Sequence, residues 1–339
     1  MMKRLNIHDV NDVRLDDYVM PNAGPKDVVL KMKACGICGS DLSYIKWGGI
    51  GREPDGVTAL GHEGAGEVLS VGSEVTGLAP GDAVIVNPMA TPGLIGSGGP
   101  EGAFVDHLLV RGGEKGTNLL PIPEGVPYDV AAMCEPLAVA LHGVNRAQAK
   151  AGQKVVVFGC GPIGLGMVLW LADRGVEELI AVDLSDERLE RARALGAKYT
   201  INPSREDLRE KVMEYHGQGA DMLGRPMADT DAWLDAAGAP QIIPDAIRMS
   251  KAHARIVMTA VYHGDVAMPL GEMLTSEVEI TSAIGYPTEM PDVVAAMTRL
   301  KDKIASMISH RLPFEQVLDG LKIAGTPQSA KVMIEFGDS

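Results

Sequence analysis

Basic residues are in short supply in this chain: 31 Lys and Arg stand against 45 Asp and Glu, a formal charge of −14. Such a surface repels polyanions, which argues against nucleic acid and anionic membranes as partners. Long apolar runs are also missing, since none reaches the ~18–20 residues that cross a bilayer. The stretch Met1-Met2-Lys3-Arg4-Leu5 soon meets Asp9, Asp12, Asp16 and Asp17. It has neither the apolar core of a signal peptide nor the acid-poor character of a transit peptide, and a cytoplasmic protein is expected. Cysteine is scarce. Cys35, Cys38, Cys134 and Cys160 are too few and too scattered for a disulfide framework. Cys35 and Cys38 form a CxxC, but no second CxxC completes a four-cysteine metal site. A redox pair wants a helix start directly after a strand, and here Gly36 and Gly39 interrupt the segment. Internal repeats and low-complexity segments are absent.

What is present suggests about two domains in 339 residues, each burying its own core. The most informative stretch runs from Lys154 to Asp183. Val155, Val156, Val157 and Phe158 read as a fully buried strand. Gly159-Cys160-Gly161-Pro162-Ile163-Gly164 follows and opens a helix through Leu165, Val168, Leu169 and Leu171. A second apolar run, Leu179 to Val182, ends in Asp183. Gly159 permits a tight turn, Gly161 lets the backbone approach a pyrophosphate, and Gly164 allows close helix–strand packing. Pro162 suits an early helical position, where its missing N–H costs little. The unpaired N–H groups and dipole of the new helix face the phosphates, and Asp183 can accept hydrogen bonds from both hydroxyls of an adenosine ribose. Strand, glycines, helix, strand and acid in register predict a dinucleotide site. Asp183 followed by Leu184, with no arginine directly after it, favours NAD over NADP.

Residues 1–80 look β-rich, with Val28 to Lys33 alternating as a half-buried strand does. Two glycine-flexed clusters stand out from this background, Cys35-Gly36-Ile37-Cys38-Gly39-Ser40-Asp41 and Gly61-His62-Glu63-Gly64-Ala65-Gly66. A thiolate, an imidazole and a carboxylate from two such loops can make three corners of a tetrahedral zinc site. The open fourth corner would mark catalysis, because structural zinc sites are closed.

At these residues the sequence resembles the zinc-containing medium-chain alcohol dehydrogenases. GHEGAGEVLSVGSEV, with Gly61, His62, Glu63, Gly66, Gly72 and Val75 in register, looks like the signature of that family. CGICGSD and the GCGPIG unit with Asp183 match it in the same order, and the likeness runs from about Val28 to Ile334. Within the family it is most similar to the polyol, threonine and butanediol dehydrogenase branch, because Glu135-Pro136-Leu137 stands where ethanol-type enzymes place a cysteine ligand. The resemblance implies an α/β protein with a GroES-like, β-rich catalytic domain over 1–145 and 285–339, and a Rossmann doubly wound parallel-sheet domain over 146–284. It implies Cys38 and His62 as zinc ligands, with Glu63 or Glu135 as the third ligand exchanging with water. Asp41 would orient His62, and Ser40 would receive the substrate proton. Where many relatives end the proton relay in a histidine this chain has Ser43, so release would run through Ser43, Tyr44 or water. The usual four-cysteine lobe is missing from Asn87 to Gly102, which predicts one catalytic zinc per chain and no structural zinc.

In the second domain the resemblance puts Arg188 beside the ribose and Ala236, Val261 and Ala283 near the nicotinamide. Lys331 falls where relatives place a basic residue on the pyrophosphate, although a solvated lysine at a strand edge reads equally well. Tyr44, Trp47 and Arg52 are candidates to line the substrate entrance. Ser204 and Asp207 have capping-box spacing, and 217–231 reads as a long polar loop lying outside. The expected activity is reversible NAD-linked oxidation of a secondary alcohol, a diol, polyol or β-hydroxy amino acid, by a homodimer or homotetramer. The alternatives are a zinc-free quinone or enoyl reductase of the same fold, a primary-alcohol or formaldehyde dehydrogenase, and a non-catalytic dinucleotide sensor.

Overall fold

A computed structural model describes residues 2–51 and 56–337. The chain begins with β1 (Met2–Asp9), β2 (Asp12–Tyr18) and β3 (Val28–Gly36), then α1 (Gly39–Trp47). Next come β4 (Thr58–Ala59), β5 (Glu63–Val71), β6 (Ala83–Val86), β7 (His107–Val110) and β8 (Leu119–Pro121). After α2 (Tyr128–Ala132) and α3 (Cys134–Ala147) the pattern turns to alternation: β9 (Lys154–Phe158), α4 (Pro162–Asp173), β10 (Glu178–Val182), α5 (Asp186–Leu195), β11 (Tyr199–Ile201) and α6 (Leu208–His216). It continues through β12 (Gln218–Ala220), β13 (Pro226–Ala228), β14 (Ala232–Asp235), α7 (Ile242–Met249), β15 (Arg255–Met258), α8 (Leu270–Ser276) and β16 (Glu279–Ser282). The chain closes with α9 (Met290–Met307), β17 (Ile308–Pro313), α10 (Val317–Ala324) and β18 (Lys331–Glu335).

These elements form two compact units, one built from 1–135 and 290–339, the other from 136–289. In the first, a mixed sheet runs β17-β18-β3-β5-β6-β8, with β7 also pairing β3, and β2-β1-β4 form a smaller sheet. Strand β3 is the hinge of this arrangement. Its start pairs β7, its end pairs β18, and its full length pairs β5. The inward residues Leu30, Met32, Leu60, Val86, Phe104, Val332 and Ile334 make the core. Strands from both chain ends therefore share one hydrophobic interior, at roughly 1.5–3 kcal/mol for each large side chain buried.

In the second unit six parallel strands run β11-β10-β9-β14-β15-β16. Strand order reverses between β9 and β14, so the crevice at the carboxyl ends of these strands is where a doubly wound sheet binds ligands. Val155, Val156 and Val157 are wholly buried, as a strand covered on both faces requires. Helix α4 is buried from Gly164 to Leu171, which explains its apolar character all round.

Two local expectations fail. The segment 217–231 is not an open loop but a short antiparallel hairpin, β12–β13. Asp221 closes it by accepting from the N–H groups of Leu223 and Arg225, and Gly224 supplies the positive φ of the turn. Ser204 caps no helix, because it turns back to Asn202, and Asp207 itself caps α6 by accepting from Glu210 N–H. Among the described residues no helix is long and apolar enough to cross a membrane.

Candidate functional site

Strand β3 ends at Gly36, and the chain passes through Ile37 and Cys38 into α1. Asp41 on the first turn of α1 reaches back, accepting from Cys38 N–H at 2.9 Å and fixing that loop. The β3–β5 register sets Gly36 opposite Glu63, with His62 just before the strand. The consequence is that Cys38 Sγ, a His62 ring nitrogen and a Glu63 carboxylate oxygen all lie within 4.8 Å of one another. His62 and Glu63 are buried and Cys38 is half-buried. Cys35 is outside the group. Burial and the carboxylates of Asp41 and Glu63 push its thiol well up, so it stays protonated.

Two buried polar atoms test whether this donor set suits a metal. His62 Nδ1 and Asp41 Oδ1 have no hydrogen-bond partner, yet they face each other at 3.6 Å. A slight approach makes Asp41 the acceptor that fixes the imidazole tautomer and turns Nε2 toward an ion. Burial works against charge on His62, but Asp41 and Cys38 outweigh it and hold the imidazole well above its ordinary pKa. A thiol, an imidazole and a carboxylate gathered this closely are a donor set that fits zinc, bound at about 2.0–2.3 Å by such ligands. The segment 87–102 supports His62 from behind. Gly96, at φ +68°, is so close to Gly61 that a Cβ would sit 2.1 Å from its carbonyl oxygen. Turns from Thr91 to Leu94 and from Leu94 to Ser97, with buried Ile95, hold this cysteine-free segment.

The other expected residues are placed unevenly. Glu135 lies buried on the first turn of α3, outside the three-donor group. Ser40 is half-buried, two residues past Cys38 on α1. Ser43 donates its hydroxyl to the Gly39 carbonyl at 3.3 Å, Tyr44 and Trp47 pack their rings together, and Arg52 lies outside the described residues. Lys331 requires a correction. It is neither solvated nor turned toward a phosphate: it is 1 % exposed, and its Nζ donates to both Glu63 oxygens at 2.6 and 2.5 Å. Sequence reasoning missed this pair, and with it the space that Gly36 provides.

In the second unit the glycines serve three different ends. Gly159 has φ +85°, and a Cβ there would meet Ala237 at 2.8 Å. A Cβ on Gly164 would lie 1.7 Å from the Gly159 carbonyl oxygen, whereas one on Gly161 would meet nothing within 4 Å. The space over Gly161 is what a diphosphate needs, and Gly161 caps α4 with Pro162 and Ile163 opening the helix. Asp183 directly follows β10 beside this turn, accepting from Cys160 N–H at 2.6 Å and Ser185 N–H at 2.8 Å. Arg188 follows on the first turn of α5. Ala236, Val261 and Ala283 come just after β14, β15 and β16, at the carboxyl ends of the sheet, with Val261 exposed and Ala283 buried. Buried Asp235 ties two of these loops together, accepting from Ala237 and Gly238 N–H and from the Tyr262 hydroxyl at 2.8 Å. Nothing local in the sequence marks that tie.

Comparison with known proteins agrees with this geometry. Residues 24–124 match the alcohol dehydrogenase GroES-like domain, and residues 162–299 match the zinc-binding dehydrogenases. The chain is 30 % identical to sorbitol dehydrogenase of Bos taurus, over 98 % of this chain and 95 % of that protein. Its structure is similar to that of 2R,3R-butanediol dehydrogenase from Bacillus subtilis, with TM-score 0.87, 27 % identity and 99 % of each chain covered. It also resembles an Escherichia coli CFT073 alcohol dehydrogenase solved with NADH, at TM-score 0.84, 27 % identity and 99 % of both chains. A zinc-binding dehydrogenase of Sinorhizobium meliloti 1021 bound to NADP is as close, at TM-score 0.85 and 26 % identity, again over 99 % of each chain. With a GroES-like unit carrying three residues that can hold a metal and a Rossmann unit carrying the glycine turn, the chain belongs to the zinc-containing medium-chain alcohol dehydrogenases, on their polyol and butanediol branch.

Proposed function

We propose that this protein oxidises a secondary alcohol, a vicinal diol or polyol, to the ketone, reversibly and with NAD as hydride acceptor. The observation that carries this reading is the convergence of Cys38, His62 and Glu63 within 4.8 Å in the unit that also holds Ser40. Zinc held by those residues supplies Lewis acidity that makes an alcohol hydroxyl acidic near neutral pH, and the nicotinamide ring supplies the hydride acceptor. Cys38 and His62 are the permanent ligands in this reading, and Glu63 is the third. Asp41 orients His62. Ser40, two residues beyond Cys38, accepts the hydroxyl proton, and Ser43, Tyr44 or water passes it on. Glu135 keeps an acidic group close by without being a ligand.

Gly159, Gly161 and Gly164 shape the turn for the pyrophosphate, with Asp183 and Arg188 on the ribose and Ala236, Val261 and Ala283 along the nicotinamide. The preference for NAD is supported by Asp183, whose carboxylate would repel a 2′-phosphate, and by exposed Leu184 in place of an arginine. The substrate class is supported by the names of the relatives, sorbitol and butanediol dehydrogenases. Pairing of copies through the 136–289 unit belongs to the same reading, supported by the edge position of β16 and by Ile284 beyond it, 89 % exposed. So does a cytoplasmic setting, supported by four free cysteines.

The test is a screen of NAD reduction at 340 nm, the absorbance band of the reduced nicotinamide, over butanediols, polyols, threonine and simple secondary alcohols, alongside metal analysis. We expect about one zinc per chain and turnover fastest with vicinal diols or polyols. A zinc content near zero, or activity confined to primary alcohols, would reject the assignment.

A further inference from the structure

Lys331 is among the most deeply buried side chains of the molecule, and lysine is rarely buried unless paired. Its ammonium has three donors, and three acceptors meet it: both oxygens of Glu63, at 2.6 and 2.5 Å, and the Ile37 carbonyl at 3.0 Å. Lys331 opens β18 and Glu63 opens β5, with β3 lying between those strands in the sheet. The two side chains meet across β3 at Gly36, which pairs with Glu63 on one side and Met333 on the other. A Cβ on Gly36 would lie 2.0 Å from Glu63 Oε2 and 3.3 Å from Lys331 Cδ. Only a residue without a side chain leaves the pair its place, so the contact is built into the sheet. Yet the same carboxylate has an oxygen within 4.8 Å of Cys38 Sγ and the His62 ring.

We propose that Lys331 is a positioning residue that shares Glu63 with the metal and thereby keeps Glu63 a weak, displaceable ligand. This rests on Cys38, His62 and Glu63 being the metal centre. One anion then serves two cations. Each cation draws charge from the carboxylate and weakens its bond to the other, so more of the metal's positive charge is left for the substrate oxygen. Without metal, the ammonium compensates a carboxylate that would otherwise stand buried and unpaired, and the donors stay assembled.

The test compares full-length wild type with Lys331→Met, which removes the charge at similar volume, and Lys331→Gln, which keeps a donor for Ile37. Zinc affinity is measured by chelator competition, the visible spectrum is recorded after cobalt(II) is added alone to metal-free protein, and thermal midpoints are taken with and without zinc. We expect both variants to bind zinc more tightly, by about tenfold, or about 1.4 kcal/mol, to show shifted cobalt d–d bands, and to gain more thermal stability from zinc than wild type does. A variant that is unfolded without metal and folds on adding zinc supports the same conclusion. Folded variants with wild-type zinc affinity and the wild-type cobalt spectrum would overturn it. So would failure of Lys331→Gln to fold even with zinc, which would make the lysine structural only. Unchanged zinc binding in Cys38→Ser with Lys331 intact would instead refute the metal centre itself, an outcome that does not depend on how the Lys331 variants behave.

Discussion

Single residues carry the chemistry here, and Cys38 separates its two halves. Its sulfur is one of the three donors proposed for the metal, while the glycine turn proposed for the coenzyme lies in a different compact unit with its own core. Cys38→Ser is therefore expected to lose zinc and turnover together while NADH affinity, followed by fluorescence, stays within a few-fold of wild type. Loss of both would mean that the sites are not separable. How far the site could be read from sequence follows from the reach of each signal. The three glycines and Asp183 were legible because each acts within one turn of its neighbours. Cys38, His62 and Glu63 were legible as donors through the glycines that flank them. Lys331 was not, because its partner is 268 positions away and is reached only through a particular order of strands.

At the scale of elements, the joint between α6, the β12–β13 hairpin and β9 gives the molecule an acid-sensitive seam. His216 ends α6 in a buried position, its Nδ1 bonded to the Thr230 hydroxyl at 2.8 Å and its Nε2 without a partner. Its carbonyl accepts from Lys154, which also holds Asp229. Burial, with Lys154 close by, lowers the imidazole pKa to about 4. The unfolded chain binds this proton near pH 6.5 and the folded chain does not, so the contribution is whole above pH 6.5 and is lost as pH falls toward 4. The loss amounts to roughly 3 kcal/mol by pH 4. His216→Gln should lack it, and thermal midpoints of the two proteins across this range should converge as pH falls. Parallel curves would show that His216 protonates freely in the fold. This seam was hard to foresee. Gln218-Gly219-Ala220 has no β-branched or aromatic residue to announce a strand, so polarity suggested a loop where paired backbone stands instead.

For the molecule as a whole, the decisive fact is the route of the chain. One unit is a single continuous piece, 136–289, and the other needs both flanks, 1–135 and 290–339. A fragment spanning 136–289 has its six-stranded sheet and its own core, so it should fold and bind NADH without zinc and without activity. Circular dichroism and fluorescence titration check this, and an unfolded fragment would show that its core needs the other unit. The alternation of strands and helices announced that piece, whereas the sharing of one interior by Leu30 and Val332 had no local sign.

The same route has a consequence during synthesis. On the ribosome Cys38, His62 and Glu63 emerge long before Lys331 has been translated. For that interval the nascent chain carries the carboxylate with no ammonium to offset it. The last strand then completes the shared interior and the ion pair in one step, so the site and its fold mature together.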